Sequence, residues 1–307
     1  MSSPEIIFIV GPTAVGKSEV ALWLAEHLNG EIVSCDAMQV YKEIRVASNK
    51  PGPQELMRVE HHLLDVVSVT EKFDVAVYNR LAREAIEDIL RRGKMPLVVG
   101  GSGMYMQVLL DGVFEGVGAD ETVRRRLMEE LEEEGKDALY ARLEKMDPLA
   151  AEKIHPNNTK RLIRALEVCS VQEDSFTALK KKRQGLWGER DVRLFCLYQE
   201  RDRLYRLIDE RVEEMFANGL LEEVRALEGV LPSATARALI GIKEVYPYLE
   251  GAYDLERAKY LMKRNTRHLA KRQFTWFRKD PRLQWILRHE KDSPEDVGAY
   301  ILEQFND

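Results

Sequence analysis

Eight residues near the amino terminus of this 307-residue chain have the types and spacing to hold a row of phosphates: Gly11, Pro12, Thr13, Ala14, Val15, Gly16, Lys17 and Ser18. They satisfy G-x-x-x-x-G-K-[ST] at every fixed position. The glycines let the backbone aim its N–H groups inward at an anion, and Lys17 adds a mobile positive charge. The Ser18 hydroxyl suits Mg2+. A helix starting behind the loop adds the positive end of its dipole. This chemistry asks for a diphosphate or triphosphate and does not by itself name ATP. The plain alternative is a glycine-containing turn with a chance Lys-Ser. Context argues against that: an apolar run at 6–10 leads in, and Val20, Ala21, Leu24, Ala25 and Leu28 recur behind at helical spacing.

A carboxylate follows the second apolar run. In EIVSCDAMQVYKEI, Asp36 comes after Ile32 and Val33. If both runs are parallel strands, it sits on the same rim as the loop. Asp36 can bind Mg2+, cap a helix or act as a general base, and spacing alone favours the cap. A P-loop kinase would carry another acid after the run at 96–99. Here that run ends in Gly100-Gly101-Ser102-Gly103-Met104-Tyr105. The glycine pair permits close approach of a substrate to backbone. Ser102 reads equally well as a cap or as a site residue.

The elements that must position these groups are short strands at 5–10, 31–35, 96–100 and 191–198, with helices at 17–29 and 74–92. Their alternation predicts an α/β fold, a P-loop NTPase-like doubly wound parallel sheet. From 116 to 189 strand signals nearly vanish, Asp120 and Asp147 read as N-caps, and Pro148 suits a first helical position. The expected organisation is therefore a catalytic core of 1–115 and 190–307 with a helical insertion at 116–189. The core's C-terminal part, from 201 onward, reads as mainly helical, with turns at Asn218-Gly219, Gly229 to Ser233 and Glu250-Gly251.

Hydrophobic residues make up 45% and charged residues 32%, the make-up of an ordinary globular protein. No apolar run approaches the roughly 20 residues of a membrane span, and a strand begins where a signal peptide would lie, so a cytoplasmic protein is expected. Cys35, Cys169 and Cys196 lack metal spacing and are expected as reduced thiols. The net charge of −6 argues mildly against a nucleic-acid partner, but charge is unevenly spread. Acids cluster at 129–134 and bases at 180–183. Between Arg257 and Arg282 the only acid is Asp280, among many Lys and Arg and with Tyr260, Phe274, Trp276 and Phe277 interleaved. That mixture suits a phosphate backbone, although Phe274 and Phe277 alone read better as core.

Taken together, GPTAVGKS (11–18), Asp36-x-x-Gln39-Val40-Tyr41, Asn49-Lys50-Pro51, HHLLD (61–65), GGSGMY (100–105), DPLAAEKIHPNNTKRLIRALEV (147–168), ANGLLEEVRAL (217–227) and TRHLAKRQFTWFR (266–278) resemble the tRNA dimethylallyltransferase family, also called tRNA isopentenyltransferase. The resemblance spans nearly the whole chain and is to the bacterial, stand-alone form. It implies transfer of a dimethylallyl group from dimethylallyl diphosphate to N6 of adenosine 37, immediately 3′ of the anticodon. The loop would then hold a leaving pyrophosphate with Mg2+ at Ser18, which accounts for the missing second acid. Asp36 resembles the base that accepts the N6 proton. Ser102 stands where the family usually has threonine and keeps the hydroxyl. Arg211 resembles the pyrophosphate-binding arginine; read on its own it is a helix salt bridge to Glu214.

The family's partner is the tRNA anticodon stem-loop, met by a monomer with no membrane. Asp36, Ala37, Met38, Gln39 and Ser102 would meet an adenine flipped from its stack. The insertion, with Arg124, Lys160, Arg161, Leu162, Ile163 and Arg164, would grip the RNA together with Arg237 and Lys243. Ile242 replaces a common tyrosine, and VASNKP (46–51) a more usual IGTAKP. The rivals are an adenylate isopentenyltransferase acting on free AMP, ADP or ATP, a small-molecule P-loop kinase, and a non-catalytic RNA-binding protein with a vestigial loop.

Overall fold

The computed structural model describes residues 5–113, 120–171 and 175–304, without the side chains of 180–182. The chain opens with β1 (Ile6–Val10), α1 (Lys17–His27), β2 (Gly30–Ser34), α2 (Pro53–Arg58), β3 (His61–His62), α3 (Val75–Arg91), β4 (Met95–Gly100) and α4 (Gly103–Asp111). Helices α5 (Glu121–Glu134), α6 (Lys136–Met146), α7 (Pro148–Lys153), α8 (Thr159–Val171) and α9 (Phe176–Lys182) follow. Then come β5 (Val192–Tyr198), α10 (Arg201–Ala217), α11 (Leu220–Arg225), α12 (Ala234–Arg237), α13 (Ile242–Leu249), α14 (Leu255–Phe277), β6 (Gln284–Leu287) and α15 (Pro294–Glu303). No helix among the described residues is long and apolar enough to cross a membrane.

The strands form one parallel sheet in the order β3-β2-β4-β1-β5-β6. β1 lies inside it, with Phe8 opposite Val98 of β4 on one side and Leu194 of β5 on the other. Successive residues of β1 point to opposite faces, and all five are fully buried, so helices cover both sides. Ile7 and Ile9 share one cluster with Val20 and Leu24 of α1, Ile208 of α10 and Ile301 of α15. Burying each such side chain contributes roughly 1.5–3 kcal/mol.

Two strands escaped the sequence reading. β6 extends the sheet beyond β5 through the pairing of Cys196 with Trp285, in a region expected to be mainly helical. Its four residues are too few for an alternation to register, and the two-residue β3 is shorter still.

The chain divides into two compact units, Met1–Leu110 with Leu186–Asp307, and Asp111–Gly185. These boundaries fall a few residues before the expected 116 and 189. The physical reason is local: Leu186 and Trp187 donate backbone hydrogen bonds to Leu109 and Leu110, at 2.8 and 3.0 Å, so both residues belong to the sheet unit. The helical unit has its own core of Leu127, Leu139, Leu143, Ile154, Leu162 and Leu166. Asp120 caps α5 and Asp147 caps α7, each side chain accepting backbone N–H groups.

Candidate active site

The Gly11–Ser18 loop joins β1 to α1. Gly16 takes φ 83°, a left-handed conformation that favours glycine, and Ala14 takes φ 66°. Thr13, Ala14, Gly16, Lys17 and Ser18 line a cleft at the carboxyl end of the sheet, with Ser18 exposed on its wall. Gly11, Pro12 and Val15 stand behind and brace the loop. The Pro12 carbonyl accepts the Lys17 ammonium at 2.7 Å, and the Val15 carbonyl accepts Gln199 and Arg288 at 3.4 Å each. Burial and the neighbouring Arg211 bring the Lys17 ammonium down to about 8.

Asp36 follows β2 and opens onto the same cleft. Its carboxylate accepts the Met38 N–H at 2.8 Å in a local turn; among the described residues no helix starts there, so the helix cap that spacing suggests is not formed. Burial nevertheless pushes the Asp36 carboxyl up, opposed by that hydrogen bond and by Lys17. Burial pushes the Cys35 and Cys196 thiols up to about 12. Both therefore stay neutral, and Asp36 provides the negative charge facing Lys17. Cys35, Cys169 and Cys196 are all free thiols.

Arg211 on α10 reaches the loop, where its Nη1 donates to Thr13 Oγ1 at 3.1 Å. The expected pair with Glu214 gives way to this contact because Arg211 faces inward, where burial lowers its pKa. An arginine remains charged even so. From α14, the Gln273 amide accepts the Thr13 N–H and donates to the Gly101 carbonyl, both at 2.9 Å. Sequence reasoning missed Gln273. Its signal was the stripe Thr266, Ala270, Gln273, Phe277, in which the other three are buried.

A second, more apolar cavity shares Thr13, Asp36, Gly101, Arg211 and Gln273 with the first. It adds Ala37, Met38, Ser102 and Lys243, with Met215, Leu239, Ile240, Met262 and Leu269 as apolar walls. Gln39 lines the first cavity, held by Ser34 Oγ at 2.8 Å and by the Asn49 carbonyl at 3.2 Å. The structure thus gathers Lys17, Ser18, Asp36, Gln39, Ser102 and Arg211 around connected space at the strand ends, where doubly wound sheets bind ligands. Arg237 is exposed but lines neither cavity, and its Nε binds the Pro232 carbonyl at 2.8 Å.

In the helical unit the expected RNA contacts separate into two kinds. Lys160 and Arg161 are exposed. Leu162 is fully buried in the helical core and offers no surface to a partner, and Ile163 packs against the same core. Arg124 and Arg164 bind the buried carboxylate of Glu167, at 3.0 and 3.1 Å. The expectation for Leu162 is therefore corrected: the DPLAAEK…RALEV motif supplies a hydrophobic stripe. Much of the basic run on α14 is likewise paired. Lys259 and Lys263 meet Glu213, and Arg267 meets Asp209. Arg264, Lys271 and Arg272 remain exposed. Phe277 is core, as expected, whereas Phe274 packs edge-on against Trp285 and takes Arg278 over its ring.

Comparison with known proteins agrees along the chain. The IPP transferase family model matches residues 39–280. The tRNA dimethylallyltransferase of Geobacter sulfurreducens is 43% identical over 287 residues, 93% of this chain and 92% of its own length. That of Thermotoga maritima is 41% identical over 309 residues, 98% and 99% of the two chains. The crystal structure of the full-length tRNA isopentenylpyrophosphate transferase from Bacillus halodurans matches with a TM-score of 0.71 at 35% identity, covering 99% of this chain and 97% of that one. A eukaryotic dimethylallyltransferase crystallised acting on tRNA matches with a TM-score of 0.82 at 29% identity, covering 99% and 80%. The family-model match starts at Gln39, beyond the phosphate loop and Asp36.

Proposed function

This chain belongs to the IPP transferase family, and from that premise we propose that it transfers a dimethylallyl group from dimethylallyl diphosphate to N6 of adenosine 37 in tRNA. The products are N6-dimethylallyladenosine and pyrophosphate. The observation that carries this reading is the meeting of Asp36 with Lys17, Arg211 and Thr13 around one cleft. A P-loop kinase would also carry an acid after β4, and here that strand runs into Gly100-Gly101-Ser102. Prenyl transfer needs a base opposite the phosphate side.

The chemistry follows from these groups. The allylic C–O bond breaks as the N6–C bond forms, and the electron pair leaves with pyrophosphate. Lys17, Arg211 and the N–H groups at the start of α1 stabilise the charge that builds there. The N6 lone pair is delocalised into the purine, so attack becomes effective as the proton passes to the Asp36 carboxylate. Burial raises the basicity of Asp36, which suits that task. Ser102 lines the same cavity as Asp36, which supports a hydrogen bond from its hydroxyl to the flipped base. Met38, Met215, Leu239 and Met262 give the prenyl chain a water-poor wall.

Ser18, exposed on the cleft wall, would hold Mg2+ through its hydroxyl together with diphosphate oxygens, a hard-oxygen donor set that suits the ion. When bound, the ion neutralises charge on the leaving group. Exposed Lys160, Arg161, Lys243, Arg264 and Arg272 supply cations for the anticodon stem-loop. We read the protein as a monomer acting in the cytoplasm.

The test is incubation with radiolabelled dimethylallyl diphosphate, Mg2+ and either unmodified tRNA or AMP. Label on tRNA, digesting to N6-dimethylallyladenosine, is the expected result. Label on AMP alone assigns the nucleotide-prenylating activity instead, and label on neither overturns the proposal.

A further inference from the structure

We propose that Gln273 is a positioning residue that fixes the spacing between the phosphate-binding loop and the turn carrying Ser102; this rests on the prenyl-transfer reading above. Its amide makes two backbone contacts at once, accepting the Thr13 N–H and donating to the Gly101 carbonyl, each at 2.9 Å. Thr13 follows β1 and Gly101 follows β4, which are neighbouring strands. The glutamine carboxamide carries a donor and an acceptor on separate atoms, as these two contacts need. A carboxylate lacks the donor, and a thioether has no N–H and only weak acceptor sulfur.

The surroundings are shaped for that amide. A Cβ on Gly101 would clash with Gln273 Nε2, so the glycine leaves the space the amide fills. Thr13 is held from both ends, its N–H by Gln273 and its hydroxyl by Arg211. The Thr13 N–H is thereby engaged inside the protein, and the other loop N–H groups address the diphosphate. On the other side, Gly101 leads into Ser102, whose N–H donates to the Cys35 carbonyl at 3.1 Å, one residue before Asp36. A chain of contacts therefore runs from the diphosphate loop through Gln273 to Ser102 and the base of Asp36. It ties the leaving-group half of the site to the nucleophile half.

The prenyl carbon must reach N6 while its C–O bond points at the loop. Displacement of this kind requires reacting atoms about 3–3.5 Å apart, and a misplacement of about 1 Å costs about a hundredfold in rate. Gln273 acts on that separation through backbone. α14 does not depend on it for docking: Ala270 and Phe277 are buried, and Lys259, Lys263 and Arg267 are paired with α10.

The experiment compares the full-length wild type with Gln273→Met, which keeps volume and loses the amide, and Gln273→Asn, which keeps the amide one methylene short. Steady-state prenyl transfer is measured with each substrate varied, alongside calorimetric titration with inorganic pyrophosphate, tRNA affinity and the thermal midpoint. The expected result for Gln273→Met is kcat/KM for dimethylallyl diphosphate down about a hundredfold. Pyrophosphate binding weakens, while tRNA affinity stays within twofold and the midpoint within a few degrees. Gln273→Asn fails to rescue. Wild-type kinetics in folded Gln273→Met overturn the proposal. So does activity lost only in step with folding, with Gln273→Asn folded and fully active. If the wild type itself transfers no prenyl group, the functional reading falls. Pyrophosphate titration of Gln273→Met then still decides the positioning role: weaker binding supports it, and unchanged binding overturns it.

Discussion

Arg211 and Thr13 lie 198 residues apart in sequence and meet through a 3.1 Å hydrogen bond from guanidinium to hydroxyl. The contact delivers a cation from α10 to a loop that already carries Lys17. Two like charges held close are unfavourable in the free protein, and Arg211 helps to hold the Lys17 ammonium low. A diphosphate would relieve that repulsion, as the proposed leaving-group role of the pair requires.

Removal of Arg211 tests the anion site. Arg211→Ala is expected to raise KM for the prenyl diphosphate by about ten- to a hundredfold, and Arg211→Lys to recover little of it. A point charge does not replace the planar fork that spans two phosphate oxygens. Steady-state kinetics with tRNA saturating check this. An unchanged KM would make Arg211 a brace for Thr13 alone.

Asp36→Asn keeps the shape and the Met38 turn but loses the base. The expected outcome is kcat lower by about 10²–10⁴-fold, with tRNA affinity within a few fold. Single-turnover transfer and filter binding on the same preparation separate the two. A large loss of binding with little loss of rate would make Asp36 an RNA contact.

The pH profile carries both shifts, with opposite signs. Asp36 must be ionised to accept a proton, and burial raises its pKa. The acid limb of kcat/KM is therefore expected at a higher pH than an ordinary carboxylate gives. Lys17 must be charged to hold diphosphate, and in the free enzyme it titrates at about 8. Above that pH, kcat/KM for the prenyl diphosphate is expected to fall. In the complex the bound anion favours the charged ammonium, so the alkaline limb of kcat moves to higher pH. Coincident alkaline limbs would remove Lys17 from diphosphate binding.

The helical unit separates fold from RNA contact. Glu167→Ala removes the buried acceptor shared by Arg124, Arg164 and the Asp120 N–H and is expected to cost about 1–3 kcal/mol, seen as early melting of the unit by hydrogen exchange. Lys160→Ala with Arg161→Ala should leave stability within about 0.5 kcal/mol. The pair should weaken tRNA binding and flatten its salt dependence by nearly two charges. A salt slope unchanged by the double substitution would place the RNA elsewhere.

The phosphate loop, the parallel strands and the helical insertion were legible because each is encoded locally. Glycines, a Lys-Ser pair and hydrophobic periodicity act over a few residues and leave a mark in those residues. Arg124, Arg164 and Leu162 show where that legibility ends. A cation or a leucine on a helix looks the same whether it faces RNA, a buried Glu167 or a core, because its partner comes from another turn or another helix.

By itself the sequence determined the G-x-x-x-x-G-K-S loop, the strand that leads to Asp36, and, through motifs spanning nearly the whole chain, the family. Only the tertiary structure decided that Arg211 and Gln273 converge on Thr13, and that much of the α14 basic run pairs with α10. The reason is physical. Backbone conformation follows from neighbours in sequence, whereas the partner of a long polar side chain is set by which distant elements the sheet and its core bring within about 3 Å.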